Sequence, residues 1–254
     1  MSNCKPVKTP IEEGFPGEDV LKEKLITDKP FKELIGCLMY LMNTSRPDLS
    51  LSVNKLSRFQ RCPTESLWKG VKRILRYLQS TVDLALLYPK NSKLKEQLVG
   101  FADADWAGDT FDRKSTSGFM VKLFGATVTW TTRKQNTVAL SSTEAELVSL
   151  CELICDLLWI VRILLDLDLV IDFPITLFED NQSCIRAALS NNFNKRLKHV
   201  DVKYHFICDL IKKKEIFEVK YLSTNAQTAD ILTKPLGGTK FCIFRESLGL
   251  SLID

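Results

Sequence analysis

The stretch LVGFAD, residues 98–103, decides the reading of this chain, because it is an apolar run of strand length that closes on a carboxylate. A second stretch of the same kind, ITLFED at 175–180, closes on Glu179 and Asp180. In open α/β sheets, sites lie beyond the carboxyl ends of the strands. If these two strands are parallel neighbours, Asp103 and Asp180 stand side by side at one sheet edge. Two buried carboxylates repel, so such a pair calls for hard divalent cations, magnesium foremost.

Working outward, Phe119, Val121 and Leu123 alternate with smaller or polar residues, Phe124-Gly125 supplies a turn, and Val128, Trp130 and Thr132 alternate again. This pattern predicts a hairpin and, with 98–103, three antiparallel strands; Phe119 and Trp130 read as hairpin core. Ser141-Ser142-Thr143-Glu144 has the form of a capping box. Leu147, Leu150, Cys151, Ile154, Leu158, Val161 and Leu165 then mark a long amphipathic helix. After ITLFED come a short helix over 181–189, a helix from about 201 to 213, a strand at 217–222 and a helix start at Thr228-Ala229-Asp230. The order βββαβα(α)βα describes a layered α/β fold with a mixed sheet.

Two further acids join the first pair. Glu144 stands three residues after Ser141 and is committed to the cap, whereas Glu146 lies one turn before Leu150 and can face the sheet. Asp230 opens the last helix, where an anion also suits the dipole. On position alone, Asp230 serves a cap as well as a metal, and Glu146 fits a solvated face better. Their joint occurrence in this βα order tips both toward metal. Asp105, Asp109, Glu179 and Asp201 read as surface or capping residues.

Upstream, residues 1–30 carry Pro10, Pro16, Pro30, Gly14 and Gly17 and read as an extended leader. From Phe31 the period is helical: Leu34, Cys37, Leu38 and Leu41; Leu49, Val53 and Leu56; Trp68, Val71, Leu75 and Leu78. Breaks fall at Arg46-Pro47-Asp48 and Cys62-Pro63-Thr64, with Asp48 and Thr64 as caps for the helices that follow. KNSKLKE at 90–96 reads as a hinge. The expected plan is a leader (1–30), a helical segment (31–95), a sheet domain (97–236) and a C-terminal tail (237–254). Opposite the third apolar stripe, Lys69, Lys72, Arg73 and Arg76 form a basic one, either a solvated face or a track for phosphates; Arg113, Lys114 and Ser115 are a weaker phosphate candidate.

A hydrophobic content of 45% with 26% charged residues excludes a disordered or fibrous chain. A net charge of +4 is too mild to imply nucleic acid without local clustering. The eight cysteines include no Cys-x-x-Cys pair and only two histidines accompany them, so they read as reduced, mostly buried thiols; Cys151 and Cys155 share a helix face as core. The polar N-terminus lacks a signal-peptide core, and no later stretch is apolar for long enough to cross a bilayer. An intracellular, reducing location is expected.

Phe101-Ala102-Asp103, Ala145-Glu146-Leu147, Glu179-Asp180-Asn181-Gln182 and Asn225 to Asp230 (NAQTAD) resemble the four acidic motifs of ribonuclease H, in the same order. DADWAGD (103–109), RKSTSGF (113–119), LSSTEAEL (140–147), KHVDVKYHF (198–206) and TADILTKPL (228–236) resemble the polymerase-linked ribonuclease H of copia-type retrotransposons. LIGCLMYLMNTSRPDLS and WKGVKRILRYLQST resemble the thumb or connection segment that precedes it, and NCKPVKTP at 3–10 resembles a piece just beyond the polymerase active site. The chain holds no Tyr-x-Asp-Asp polymerase motif and reads as a C-terminal fragment of such a polyprotein, or as a degraded or separately expressed copy.

The resemblance implies a ribonuclease H-like five-stranded mixed sheet, three strands antiparallel and then two parallel, flanked by helices and preceded by a small helical segment. It implies cleavage of the RNA strand of RNA–DNA hybrids during reverse transcription, leaving a 3′-hydroxyl and a 5′-phosphate. Two magnesium ions, with manganese as the alternative, would be shared by Asp103 and Asp180, with Glu146 on the second and Asp230 on the more mobile one. RNA selection would rest on 2′-hydroxyl contacts. Its partners would be the hybrid and the polymerase part of the same polyprotein, with no membrane, in the cytoplasm or a virus-like particle.

This sequence departs from the pattern in the loop Ser223 to Gln227, which has no histidine where cellular enzymes carry one and has Ala226 where copia-like loops often carry an acid. His199 and His205 precede a different helix and read as structural. Integrase-like nucleases are disfavoured, since they place their Glu after the last strand. A catalytically silent remnant that only binds nucleic acid is the second reading.

Overall fold

The computed structural model describes residues 4–89, 97–190 and 202–252; the expected hinge at 90–96, His199 and Asp201 lie outside them. The chain divides into two units, one of residues 1–87, 110–112 and 234–254, the other of residues 88–109 and 113–233.

The first unit contains helices α1 (Phe31–Thr44), α2 (Ser50–Ser57) and α3 (Glu65–Gln79) and the short strand β1 (Leu84–Leu86). The buried seam of α3 is Leu67, Val71, Ile74 and Tyr77, one residue out of phase with the expected Trp68, Val71, Leu75 and Leu78. The helix is apolar over a wide arc, and Tyr77 is drawn inward because its hydroxyl donates to Asp48 at 2.5 Å. Asp48 is therefore no helix cap: it is 1% exposed and gripped by Arg46 through two hydrogen bonds of 3.0 and 2.8 Å. Thr64 does not cap α3 with its side chain either. Glu23 does that work, its carboxylate accepting the Ser66 N–H at 3.0 Å.

The leader is thus bound rather than loose, with Ile11 and Val20 buried. The segment expected as a tail, 237–254, holds helix α8 (Gly238–Ser247) and strand β7 (Leu250–Leu252) within its described residues, 237–252. Strand β7 pairs antiparallel with β1, and Phe241, Phe244 and Leu248 are buried. Of the eight cysteines only Cys151, Cys184 and Cys208 are buried, and Cys37 is exposed on α1. The expectation of mostly buried thiols fails because α1 buries Phe31, Ile35 and Leu38 instead.

The second unit is built on a five-stranded sheet. Its strands are β2 (Leu98–Asp105), β3 (Thr116–Leu123), β4 (Ala126–Lys134), β5 (Ile175–Glu179) and β6 (Phe217–Tyr221), in the order β4-β3-β2-β5-β6. Strands β2, β3 and β4 are antiparallel, while β5 is parallel to β2 and β6 to β5. This is the ribonuclease H-like sheet expected. The β3–β4 turn places Phe124 and Gly125 at φ of 48° and 84°, the left-handed pair that a two-residue hairpin needs.

The 25-residue helix α4 (Ser142–Asp166) packs on the sheet through Leu147, Leu150, Cys151, Ile154 and Leu157, against Phe119, Val121 and Leu177. Its cap is Ser141, whose hydroxyl accepts the Glu144 N–H at 3.2 Å. The returning bond from Glu144 goes to the Leu140 N–H, one residue earlier than a capping box would place it. Helices α5 (Gln182–Leu189) and α6 (Val202–Lys213) follow β5, and one helical turn, α7 (Asp230–Thr233), closes the unit. Among the described residues no helix is long and apolar enough to cross a membrane.

Candidate metal centre

Asp103 lies within the last turn of pleat of β2, and parallel pairing of β2 with β5 brings the following Asp180 beside it. Helix α4 delivers the third acid. Ser149, fully buried, donates its hydroxyl to the carbonyl of Asp103 at 2.8 Å, with the Gly118 carbonyl at 3.2 Å. Glu146 lies three residues earlier on the same helix face, so fixing Ser149 against the strand also fixes Glu146 over its end. Ligand oxygens of Asp103, Glu146 and Asp180 all fall within 4.8 Å of one another.

Asp103 is 0% and Glu146 5% exposed, while Asp180 is half-buried just ahead of Asn181. Asn181 caps α5, accepting the N–H groups of Ser183 and Cys184, and the positive end of that helix favours the neighbouring Asp180 charge. Burial first, and then the charges of Glu179 and Glu146, push the Cys184 thiol well above its ordinary pKa. Three carboxylates, two of them buried, form an all-oxygen donor set that fits a hard divalent cation and not a soft one.

Asp230 is buried at 1% exposure on α7 but is not one of the three clustered acids. Two neighbours tie its segment to the site, and neither was found from the sequence. Gln227, fully buried, donates through its amide to the carbonyl of Ala102 at 2.9 Å, with that of Phe178 at 3.4 Å, so it bridges the two acid-bearing strands. Thr233 donates to the carboxylate of Asp103. The Gln227-Thr228-Ala229 stretch preceding an acid was a motif by resemblance only; nothing local marks its amide as a strand clamp.

The other acids fall apart from the cluster. Asp105 is half-buried beside the Gly108 turn. Asp109 and Glu179 are buried rather than superficial, so of their two readings, surface or cap, the surface one fails for both. Asp109 pairs with Lys134 at 2.6 Å, and Glu179 accepts the Asn181 N–H at 2.9 Å, shaping the turn between β5 and α5. His205 is exposed on α6.

The basic candidates divide as well. Arg73 donates to the carbonyl and hydroxyl of Thr9 and pairs with Glu12, and Arg76 donates to the Lys5 carbonyl at 2.9 Å. Both spend donors on the leader, and a cavity of about 580 Å³ that also takes in Lys69 and Lys72 is left beside them. Arg113 is exposed at φ 57° and Lys114 is half-buried. Ser115 is 0% exposed and its hydroxyl accepts the Ala107 N–H at 3.1 Å, so it shapes a loop instead of meeting a phosphate.

A mixed sheet in this strand order with acids gathered at the ends of its parallel pair defines a ribonuclease H-like domain. No family model matches the chain. It is 36% identical over 250 residues to the retrovirus-related Pol polyprotein from transposon RE2 of Arabidopsis thaliana, a match covering 98% of this chain and 17% of that polyprotein. It is 47% identical over 131 residues to the secreted RxLR effector protein 161 of Plasmopara viticola, covering 52% of this chain and 91% of that protein. Among solved structures, LC11-RNase H1 in complex with RNA/DNA hybrid is similar at a TM-score of 0.41 and 13% identity, over 54% of this chain and 93% of that one. The chain belongs to the family of copia-type retrotransposon Pol polyproteins.

Proposed function

We propose that this chain is a ribonuclease H that hydrolyses the RNA strand of RNA–DNA hybrids during reverse transcription, inside the cell and alongside the polymerase part of the same polyprotein. The observation that carries this is the convergence of Asp103, Glu146 and Asp180 within 4.8 Å. Those three, joined by Asp230 from α7, would hold two divalent cations, magnesium or manganese. When bound, such ions supply an activated water and stabilise the leaving oxygen of a phosphodiester.

The chain's own part is positioning. Asp103 and Asp180 are set by paired strands, Glu146 by the Ser149 bond, and the Asp230 turn by Gln227. Lys69 and Lys72 in the first unit, and independently Arg113 and Lys114 in the second, would attract the phosphate backbone in a salt-dependent way. Arg73 and Arg76 contribute less, being engaged with the leader.

The test is cleavage of an end-labelled hybrid by purified protein with magnesium, beside an Asp180→Asn control. Products ending in a 3′-hydroxyl and a 5′-phosphate are expected from the wild type and none from the control. Equal hybrid binding by both proteins with no cutting by either would make the chain a silent nucleic-acid-binding remnant instead.

A further inference from the structure

Thr233 occupies an unusual place. It is 0% exposed, sits in the last position of the single turn that Asp230 opens, and reaches Asp103 across 130 residues of chain. Its hydroxyl has two oxygens in range, a carboxylate oxygen of Asp103 and the Asp230 carbonyl at 3.2 Å. With one proton to give, it gives it to the charged acceptor, because hydrogen bonds to carboxylates are about twice as strong as neutral ones.

The fold makes room for this contact. Gly118 lies opposite Asp103 in the β2–β3 ladder. A Cβ on Gly118 would stand 2.5 Å from the Thr233 methyl carbon and 2.8 Å from the Leu232 Cβ. Separations below about 3 Å do not occur between real carbons, so only glycine lets α7 approach closely enough for the hydroxyl to arrive. The neighbouring Thr132 hydroxyl donates to the Leu232 carbonyl at 2.7 Å and holds the turn from its other side.

We infer that Thr233 is the positioning residue of the metal centre: its hydroxyl sets the orientation of the Asp103 carboxylate and couples the Asp230 turn to it. The inference rests on the proposed metal-binding role of Asp103. A carboxylate held by a donor meets a cation already oriented, and the rotational freedom it would lose on binding is spent during folding. Loss of such an outer hydrogen bond typically costs about 10- to 100-fold in metal affinity. Thr233 touches no ion itself; its effect is exerted through Asp103.

The experiment is calorimetric titration of manganese into the wild-type chain and its Thr233→Val, Thr233→Ser and Thr233→Ala variants, with thermal melting of each in chelator. Thr233→Val keeps the shape and removes the donor; about tenfold weaker binding with a melting point near wild type is expected. Thr233→Ser should restore most of the affinity. Where Thr233→Val does not fold, the Ser and Ala variants carry the comparison, since both lack the methyl and only Ser keeps the hydroxyl. Equal manganese affinity with and without the hydroxyl overturns the assignment. A wild type that binds no manganese overturns the functional reading itself and this inference with it, whereas binding by the wild type with no effect at Thr233 overturns the inference alone.

Discussion

Each unit buries a cluster of charge, and the two clusters are opposite in design. In the first unit Asp48 is met by the Arg46 guanidinium, by the Tyr77 hydroxyl and, one step removed, by Arg245, whose Nη1 lies 3.3 Å from the Tyr77 oxygen. In the second unit, three carboxylates of one sign are gathered within 4.8 Å. The first arrangement sets a carboxylate against a guanidinium and a phenol and holds α3 to α8. The second sets carboxylates beside one another, with the Thr233 hydroxyl donating to Asp103, and like charge so gathered favours a bound cation. Burial alone therefore does not mark a functional site; the sign of the neighbours does.

The largest stability effect expected is from breaking the matched cluster. Arg46 is 6% exposed, and removing it leaves a buried Asp48 whose main counter-charge is gone. Burial by itself would lower the Arg46 pKa, yet hydrogen bonding and charge from Asp48 outweigh it and raise it, so the guanidinium keeps its charge. Arg46→Ala should cost about 3–5 kcal/mol. Hydrogen exchange should show α3 opening while α4 keeps its protection. Loss of protection in both helices alike, or in neither, would break the contrast between the clusters.

A smaller effect sharpens the same point through pH. Burial first, and then the charge of Asp48, raise the Tyr77 phenol above its ordinary value of 10.0. A group whose folded pKa is raised contributes stability that is complete below its unfolded pKa and is lost as pH climbs beyond it. The first unit should therefore weaken above about pH 10. Tyr77→Phe should cost about 1–3 kcal/mol at neutral pH, through the hydrogen bond lost by Asp48. It should also flatten the alkaline decline, as read by urea melts at pH 8 and pH 11. A decline equally steep in the Phe variant would place the titration elsewhere.

The contrast also explains what was legible in the sequence. Strands β2 and β5 announced themselves because apolar runs ending in acids are local patterns, and Ser141 was readable as a cap because a cap acts within three residues. From those the pairing of Asp103 with Asp180 and the choice of Glu146 over Glu144 followed, while the strand arrangement rested on the family resemblance. What escaped acts over distance: Thr233 on Asp103, Gln227 on Ala102 across 125 residues, and Glu23 on Ser66 across 43. The α3 seam was missed for a related reason. Leu67, Trp68, Val71, Ile74, Leu75, Tyr77 and Leu78 allow two adjacent stripes, and the choice is made by Asp48, a partner outside the helix. Residues 1–30 and 237–254 looked weakly patterned, yet the first supplies a helix cap and the second a strand.

The smallest expected change has the opposite sign from the first two. Asp103→Asn keeps the shape of the side chain and an oxygen that can still accept from Thr233, but removes one of three clustered charges. Removing one of several neighbouring like charges relieves repulsion in the folded state. In chelator the second unit of Asp103→Asn should then melt above wild type, although the proposed cleavage is lost. Saturating magnesium should narrow or reverse that gap, because a ligand bound only by the folded wild type adds stability by mass action. An Asn variant no more stable than wild type in chelator, or a gap that magnesium does not move, would show that repulsion among the clustered carboxylates does not limit stability, and the contrast between the clusters would fall.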